Sequence, residues 1–397
     1  MRLSDRVHTI SASQSLAMAA RARQMQAAGI DVISMSLGEP DFDTPEHIRR
    51  AARQAVDDHW SHYGPVPGIP SLREAIADTC QFSAVNYQLD DVLVSVGAKM
   101  AIYNAIQTVV NPGDEVIIPM PAWVSYSEMV KLAQGRVVPV RTTFDDNYCL
   151  TPDALRAALT PRTRMLILCS PNNPTGSVYS CEQLSALVEV LRDFPEVFLL
   201  SDEIYNALTY GIDAPSLASF PELADRLIVV NGVSKAYAMT GYRVGWLLSK
   251  NRDFIAACTR LQGQQITCAT MVAQKAAEAA LTGPQDCVET MRRTFAERRE
   301  LICRLAAEIP GFKFHKPQGA FYLFPDISAV NPSMDASAAV NPSMGKADLL
   351  AEFLLEKAHV AVVSGSAFGE PDCIRLSYAI STPQITEAIL RIKNALS

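Results

Sequence analysis

Lys235 is the residue in this chain best placed to act as a nucleophile. It follows a short apolar run at 227–230, and the stretch behind it, Ala-Tyr-Ala-Met-Thr-Gly-Tyr, carries no charge. Desolvation in such surroundings lowers the pKa of an ammonium group and frees an amine to attack a carbonyl carbon. A loop lysine taken alone is ordinarily a solvated surface group. Eight residues on, however, Arg243 stands between Gly241 and Gly245. Glycines allow close backbone approach, and a guanidinium in that place suits a phosphate oxyanion. An aldehyde that carries a phosphate would use both groups.

Pyridoxal phosphate is such an aldehyde, and it makes two further demands: an anion for its ring nitrogen and donors for its phenolic oxygen. Asp202, at the end of an apolar run, and Tyr205, three residues later, can meet them. Asn173, in a Pro-Asn-Asn-Pro frame too rigid for a helix or an inner strand, offers a second donor. Other chemistries lack their residues. No Gly-x-Gly-x-x-Gly is present, the glycine that should open a P-loop before Gly345-Lys346 is Val340, and Gly232-Val-Ser-Lys-Ala236 fails as a nucleophile elbow at its last position. The six histidines (8, 47, 59, 62, 315, 359) show no metal spacing.

These groups need a scaffold that gathers them. Short apolar runs at 92–96, 115–118, 164–169, 197–201, 227–230 and 244–248 alternate with helical patterns, the signature of an α/β fold with a mostly parallel sheet. Four runs lead directly into unusual polar clusters: Gly97-Ala-Lys99, Ser170-Pro-Asn-Asn-Pro-Thr-Gly176, Asp202-Glu-Ile-Tyr205 and Asn231-Gly-Val-Ser-Lys235. Ligands of open α/β sheets sit at the carboxyl ends of strands, so the clusters should converge. Thr44-Pro45 reads as an N-cap with proline at N1 for a helix through Asp57; Pro70 opens another through Gln81. Between them, Tyr63-Gly-Pro-Val-Pro-Gly68 is a loop. A long amphipathic pattern from 285 to 309 leads into a C-terminal α+β lobe, which divides the chain into a large domain over 46–290 and a small one built from 1–45 and 291–397. Ala329-Val-Asn-Pro-Ser-Met334 recurs as Ala339-Val-Asn-Pro-Ser-Met344; two copies with Pro and Ser read as a duplicated surface loop.

From Gly38-Glu-Pro-Asp-Phe to Arg375-Leu-Ser-Tyr-Ala, and above all in Gly232-Val-Ser-Lys-Ala-Tyr-Ala-Met-Thr-Gly-Tyr-Arg-Val-Gly245, the chain resembles the class I aminotransferases of the fold type I pyridoxal-phosphate enzymes. Its asparagine loop is of the kind found in bacterial aspartate aminotransferases. The resemblance implies a seven-stranded-type sheet between helices. Lys235 would carry the cofactor, Asp202 would pair with the ring nitrogen, and Tyr205 and Asn173 would bind the phenolic oxygen. It further implies that Trp123 stacks on the ring, that Gly97, Ala98, Lys99, Ser234 and Arg243 hold the phosphate, and that Tyr63 reaches the phosphate of a second subunit in a homodimer. Gly38 and Arg375, with Trp123 and Asn173, would bind substrate, Arg375 pairing with the α-carboxylate. Tyr242 and Ala122 depart from the commoner Trp and Tyr of the family at positions without a catalytic group.

The expected reaction is transfer of an amino group from L-aspartate to 2-oxoglutarate. Lys99 and Arg21 are the candidate cations for the distal carboxylate. Relatives that use prephenate tend to carry a lysine where we align Ser11, so prephenate is expected to be a poor substrate. Phe321 and Tyr322 near the pocket keep an aromatic amino donor open. A carbon–sulfur lyase would share the same residues, whereas a cofactor-sensing regulator would need an appended DNA-binding module, for which the chain starts too close to the catalytic lobe.

Composition fits a soluble cytoplasmic enzyme. Over 397 residues, 49% hydrophobic and 19% charged composition supports a large core; a net charge of −7 without basic runs speaks against nucleic acid. The nine scattered cysteines form no Cys-x-x-Cys and suggest a reducing compartment. There is no N-terminal apolar segment, and no run approaches the roughly 18 apolar residues that span a bilayer.

Overall fold

The computed structural model describes residues 3–80, 84–330 and 344–397. In chain order the strands are β1 (Ile33–Ser34), β2 (Val92–Val96), β3 (Glu115–Met120), β4 (Arg136–Arg141), β5 (Thr163–Cys169), β6 (Phe198–Asp202), β7 (Leu227–Gly232), β8 (Val244–Leu248), β9 (Tyr322–Leu323), β10 (Val360–Ala361), β11 (Val363–Ser364) and β12 (Ile374–Ser377). Seven of them form one sheet in the order β2-β8-β7-β6-β5-β3-β4. Only β8 runs against its neighbours. The fold is therefore the expected α/β architecture with a mostly parallel seven-stranded sheet.

The apolar runs form inner strands because both of their faces are covered. Val92 and Val94, Leu166 and Leu168, and Leu227 and Val229 pack into one buried cluster. Their alternates Leu93, Ile167, Ile228 and Val230 pack into another on the opposite face. That is the period of two that a pleated strand imposes. β4 was not anticipated. Its sequence, Arg-Val-Val-Pro-Val-Arg, holds a proline, which a sheet tolerates at an edge, and β4 is the edge strand.

A third buried cluster joins Met35, Phe295, Phe321, Leu354, Val360 and Ile385 with their neighbours. There the N-terminal β1 pairs with β10 in register Ile33↔Val360, and β11, β12 and β9 make a small antiparallel sheet. The helix after Thr44 spans Glu46–Asp57 with Pro45 itself at the cap position, one residue later than the spacing suggests. The next helix, Pro70–Thr79, stops before Gln81, which lies outside the described residues, as does most of the Ala-Val-Asn-Pro-Ser-Met repeat. The amphipathic pattern after 285 is one helix, Asp286–Ala306. No helix among the described residues is long and apolar enough to cross a membrane.

Candidate active site

The sheet order places the polar clusters on one edge. β2, β5, β6 and β7 all end there, and β8, being antiparallel, begins there; Val96 pairs with Val244, Gly232 with Gly245 and Cys169 with Asp202. Residues 97–99, 173, 202–205, 234–235 and 243 thus leave the sheet together, as strand-end geometry requires. A cavity of about 360 Å³ opens at this edge, and Lys235, Asp202, Tyr205, Asn173, Ser234 and Arg243 all line it. Ala98, Lys99, Trp123, Gly38, Tyr322 and Arg375 complete the set of sequence-derived residues within it.

Lys235 points its Nζ at the carbonyl oxygen of Gly38 and donates to it at 2.5 Å. The stem faces the cavity, but the amine is enclosed by protein, and burial lowers its pKa from 10.5 to about 8, against the opposing charge of Glu39. Arg375 and Arg243 push it the same way as burial. The neutral, nucleophilic form of this amine is therefore far more accessible near neutral pH than that of an ordinary lysine. Asp202 is buried at the end of β6, accepts a 2.6 Å bond from the Tyr126 hydroxyl and one from the Ile204 amide. Burial raises its pKa above the usual carboxylate value, while those two donors and Lys235 counter the shift.

Two further links complete the inner wall. The Tyr205 and Tyr322 hydroxyls are 2.7 Å apart. Arg375, buried on β12, donates from Nη1 to Asn173 Oδ1 at 2.8 Å and from Nη2 to the Ser36 carbonyl at 2.7 Å. Its guanidinium lies 4.4 Å from the Tyr322 ring centre, and its buried Nε has no partner among the described residues. Opposite, Gly97 opens the helix Gly97–Val109 with φ +77°, and a Cβ there would meet Arg243 Nη2 at 2.6 Å. Gly97 itself stands behind the lining, giving up its side chain so that the arginine can lie across the helix start. Arg243 donates to the Thr240 carbonyl at 2.9 Å; Lys99 Nζ sits 4.9 Å from the Trp123 ring centre. Burial and the nearby Arg243 lower the Lys99 pKa. Among the described residues no carboxylate pairs with either cation.

Two cations without a counter-charge, the buried Ser234 and a helix N-terminus at one end, a buried carboxylate at the other and a lysine amine between them fit a phosphorylated aldehyde with a ring nitrogen. Pyridoxal phosphate has that distribution of groups.

Other expected residues stand elsewhere. Tyr63 is 90% exposed and away from the cavity. Arg21 is tied to Glu352 and Glu356 at 2.8 and 2.7 Å, outside the cavity. Both of its terminal nitrogens face carboxylates there. Phe321 packs into the core against Phe295, ring centres 5.2 Å apart, and does not reach the pocket. Sequence reasoning missed Tyr126, Ser36 and Thr240. It also missed Ser13, Ser15 and Leu16, at the start of the helix Gln14–Ala27, which line the cavity mouth. Tyr126 lies three residues past Trp123, in the first turn of the helix Ser125–Leu132, and its ring meets the Trp123 ring edge-on at 5.3 Å.

Residues 30–392 match the family model for aminotransferases of class I and II. An aspartate aminotransferase of Bacillus sp. (strain YM-2) is 43% identical over 393 residues, 98% of both chains. An aspartate/prephenate aminotransferase of Cereibacter sphaeroides is 42% identical over 98% of both. Among solved structures, the aspartate aminotransferase of Rhizobium meliloti superposes with a TM-score of 0.93 at 39% identity, covering 100% of this chain and 99% of its own. The Thermus thermophilus enzyme with maleate gives 0.92 at 38%, covering 100% of both. Likeness of this extent, on a cavity with the charges that pyridoxal phosphate needs, means that the chain belongs to the class I and II aminotransferases and is a pyridoxal-phosphate-dependent enzyme.

Proposed function

We propose that this aminotransferase takes L-aspartate as its preferred donor and 2-oxoglutarate as acceptor. The observation that carries the reading is the gathering of Lys235, Asp202 and Arg375 in one cavity with the unpaired cations Lys99 and Arg243. Pyridoxal phosphate, when bound, supplies an electrophilic carbonyl and a ring that withdraws electrons from the substrate α-carbon. Lys235 would hold the cofactor at rest and, with its amine free, would move the substrate α-proton as a general base. Asp202 would keep the ring nitrogen protonated, a positive partner that would offset the burial raising its pKa. Tyr205 and Asn173 would serve the phenolic oxygen, and Trp123 would bind the ring. Gly97, Ala98, Lys99, Ser234 and Arg243 form the phosphate end. Arg375 turns its guanidinium to the α-carboxylate beside Gly38, a bidentate pair that fixes which face of the α-carbon meets Lys235.

For aspartate, the candidate for the second carboxylate is Lys99, a cavity cation that would then be shared with the phosphate end. The maleate bound to the Thermus relative is itself a dicarboxylate. Tyr322 spends its hydroxyl on Tyr205 and Phe321 is in the core, which weakens the aromatic alternative. We propose a homodimer in which the exposed Tyr63 completes the partner's phosphate site, a division into domains at 46–290 against both termini, and a cytoplasmic setting consistent with nine free cysteines.

Borohydride reduction and peptide mapping should place the cofactor on Lys235; an adduct on another lysine refutes the site. Initial rates with a panel of donors and 2-oxoglutarate should rank aspartate first in kcat/KM, with prephenate a poor acceptor. Higher kcat/KM for phenylalanine or tyrosine overturns the substrate, and pyruvate plus ammonia formed without acceptor would make the protein a lyase.

A further inference from the structure

Tyr322 stands in the first short strand after the long helix, fully buried, and three contacts fix it. Its ring is stacked beside the Arg375 guanidinium, 4.4 Å from the ring centre. Its hydroxyl lies against Gly38, where a Cβ would collide with it. Its only described hydrogen bond is to Tyr205, at 2.7 Å with the rings 80° apart. The hydroxyl cannot swing to another partner, because Gly38 closes one side and Tyr205 the other.

A phenol has one proton to give. If Tyr205 spends its proton on the cofactor's phenolic oxygen, the 2.7 Å contact survives only when Tyr322 donates and Tyr205 accepts. We propose that Tyr322 is a positioning residue of this site: it donates to Tyr205 and so holds the Tyr205 proton on the cofactor. This rests on the reading of Tyr205 given above. Donors in series polarise one another, so the Tyr205 bond to the phenolic oxygen is stronger with Tyr322 in place. A stronger donor stabilises the anionic oxygen and keeps the lysine–cofactor linkage unprotonated to lower pH. The same relay makes the site one mechanical unit, since Tyr322 also flanks Arg375 and touches Gly38, whose carbonyl accepts from Lys235.

The test is a visible-absorbance titration of the holoenzyme, which reads the pKa of the lysine-bound cofactor directly, for wild type, Tyr322→Phe, Tyr205→Phe and the double variant. Losing a hydrogen bond to an anionic oxygen corresponds to about one to two pH units, the rise expected for Tyr205→Phe. Tyr322→Phe keeps the ring and removes only the oxygen; it should raise the pKa by a fraction of that amount, and add nothing in the Tyr205→Phe background. An unchanged or lowered pKa in Tyr322→Phe, with Tyr205→Phe raised, overturns the relay alone; a fall would mean that Tyr205 donates to Tyr322. No rise in Tyr205→Phe itself refutes the role of Tyr205 instead. An equal rise from Tyr322→Phe in both backgrounds also overturns the relay, because it would act without Tyr205. A merely structural Tyr322 would lower thermal stability and leave the spectrum where it was.

Discussion

Lys235 and Asp202 are shifted in opposite directions by the same cause. Burial favours the neutral form of each, so the amine falls to about 8 and the carboxyl rises. In the cofactor-free protein this makes Lys235 a source of pH-dependent stability. Its folded pKa lies below the unfolded value near 10.5, so between about 8 and 10.5 the unfolded chain binds a proton that the folded chain does not. Stability contributed by this group therefore rises with pH across that window and is flat below it. Urea unfolding of apoprotein should show wild type gaining on Lys235→Ala as pH increases from 8 towards 10, with a slope of at most about 1.4 kcal/mol per pH unit. Buried tyrosines act on both proteins alike, so the difference isolates the lysine. A difference that is independent of pH would mean that the amine is not desolvated.

The phosphate end depends on how a helix start meets a strand start. A Cβ at Gly245 would run into the backbone of Gly97 and Ala98, and one at Gly97 would meet Arg243 Nη2 at 2.6 Å from a backbone with φ +77°. Gly97→Ala should cost about 1–2 kcal/mol through the left-handed backbone alone. It should also weaken cofactor binding, because Arg243 must move; denaturation of the apoprotein and cofactor titration measure the two parts. Unchanged affinity would separate Gly97 from the phosphate site. These glycines, like the strand runs and their polar ends, were legible because they are local: alternation marks a covered strand, and a cluster at its end marks the edge where ligands sit. What was hidden is non-local. Tyr126 meets Asp202 across 76 positions, Tyr322 meets Tyr205 across 117, and Arg21 meets Glu352 across 331. No spacing rule connects such pairs. β4 was missed for a local reason, since Pro139 argues against a strand until the strand is known to be an edge.

Across the whole molecule, the segment that carries Gly38 ties the two halves of the site together. Gly38 accepts from Lys235, Glu39 accepts from Thr240, and Asp41 takes both forks of Arg298 on the long helix at 2.6 and 2.9 Å. Thr44 then donates to the Ala238 carbonyl. One chain could thus shape most of the cavity, yet the loop bearing Tyr63 presents that side chain almost wholly to solvent. A large aromatic side chain held out on a loop of prolines and glycines is explained if it serves the other subunit, and mixed dimers can decide this. Tyr63→Ala subunits should bind cofactor weakly, and Lys235→Ala subunits should be inactive. In a hybrid with Tyr63 acting across the interface, the intact Lys235 site of the Tyr63→Ala subunit receives the intact Tyr63 of its partner, and both lesions fall together in the other site. Half of an equal random mixture is hybrid, with one whole site in each, so activity at limiting cofactor should recover to about a quarter of wild type. If Tyr63 works within its own chain, every site in the hybrid carries one lesion, and co-refolding the two variants will give no more activity than their separate preparations.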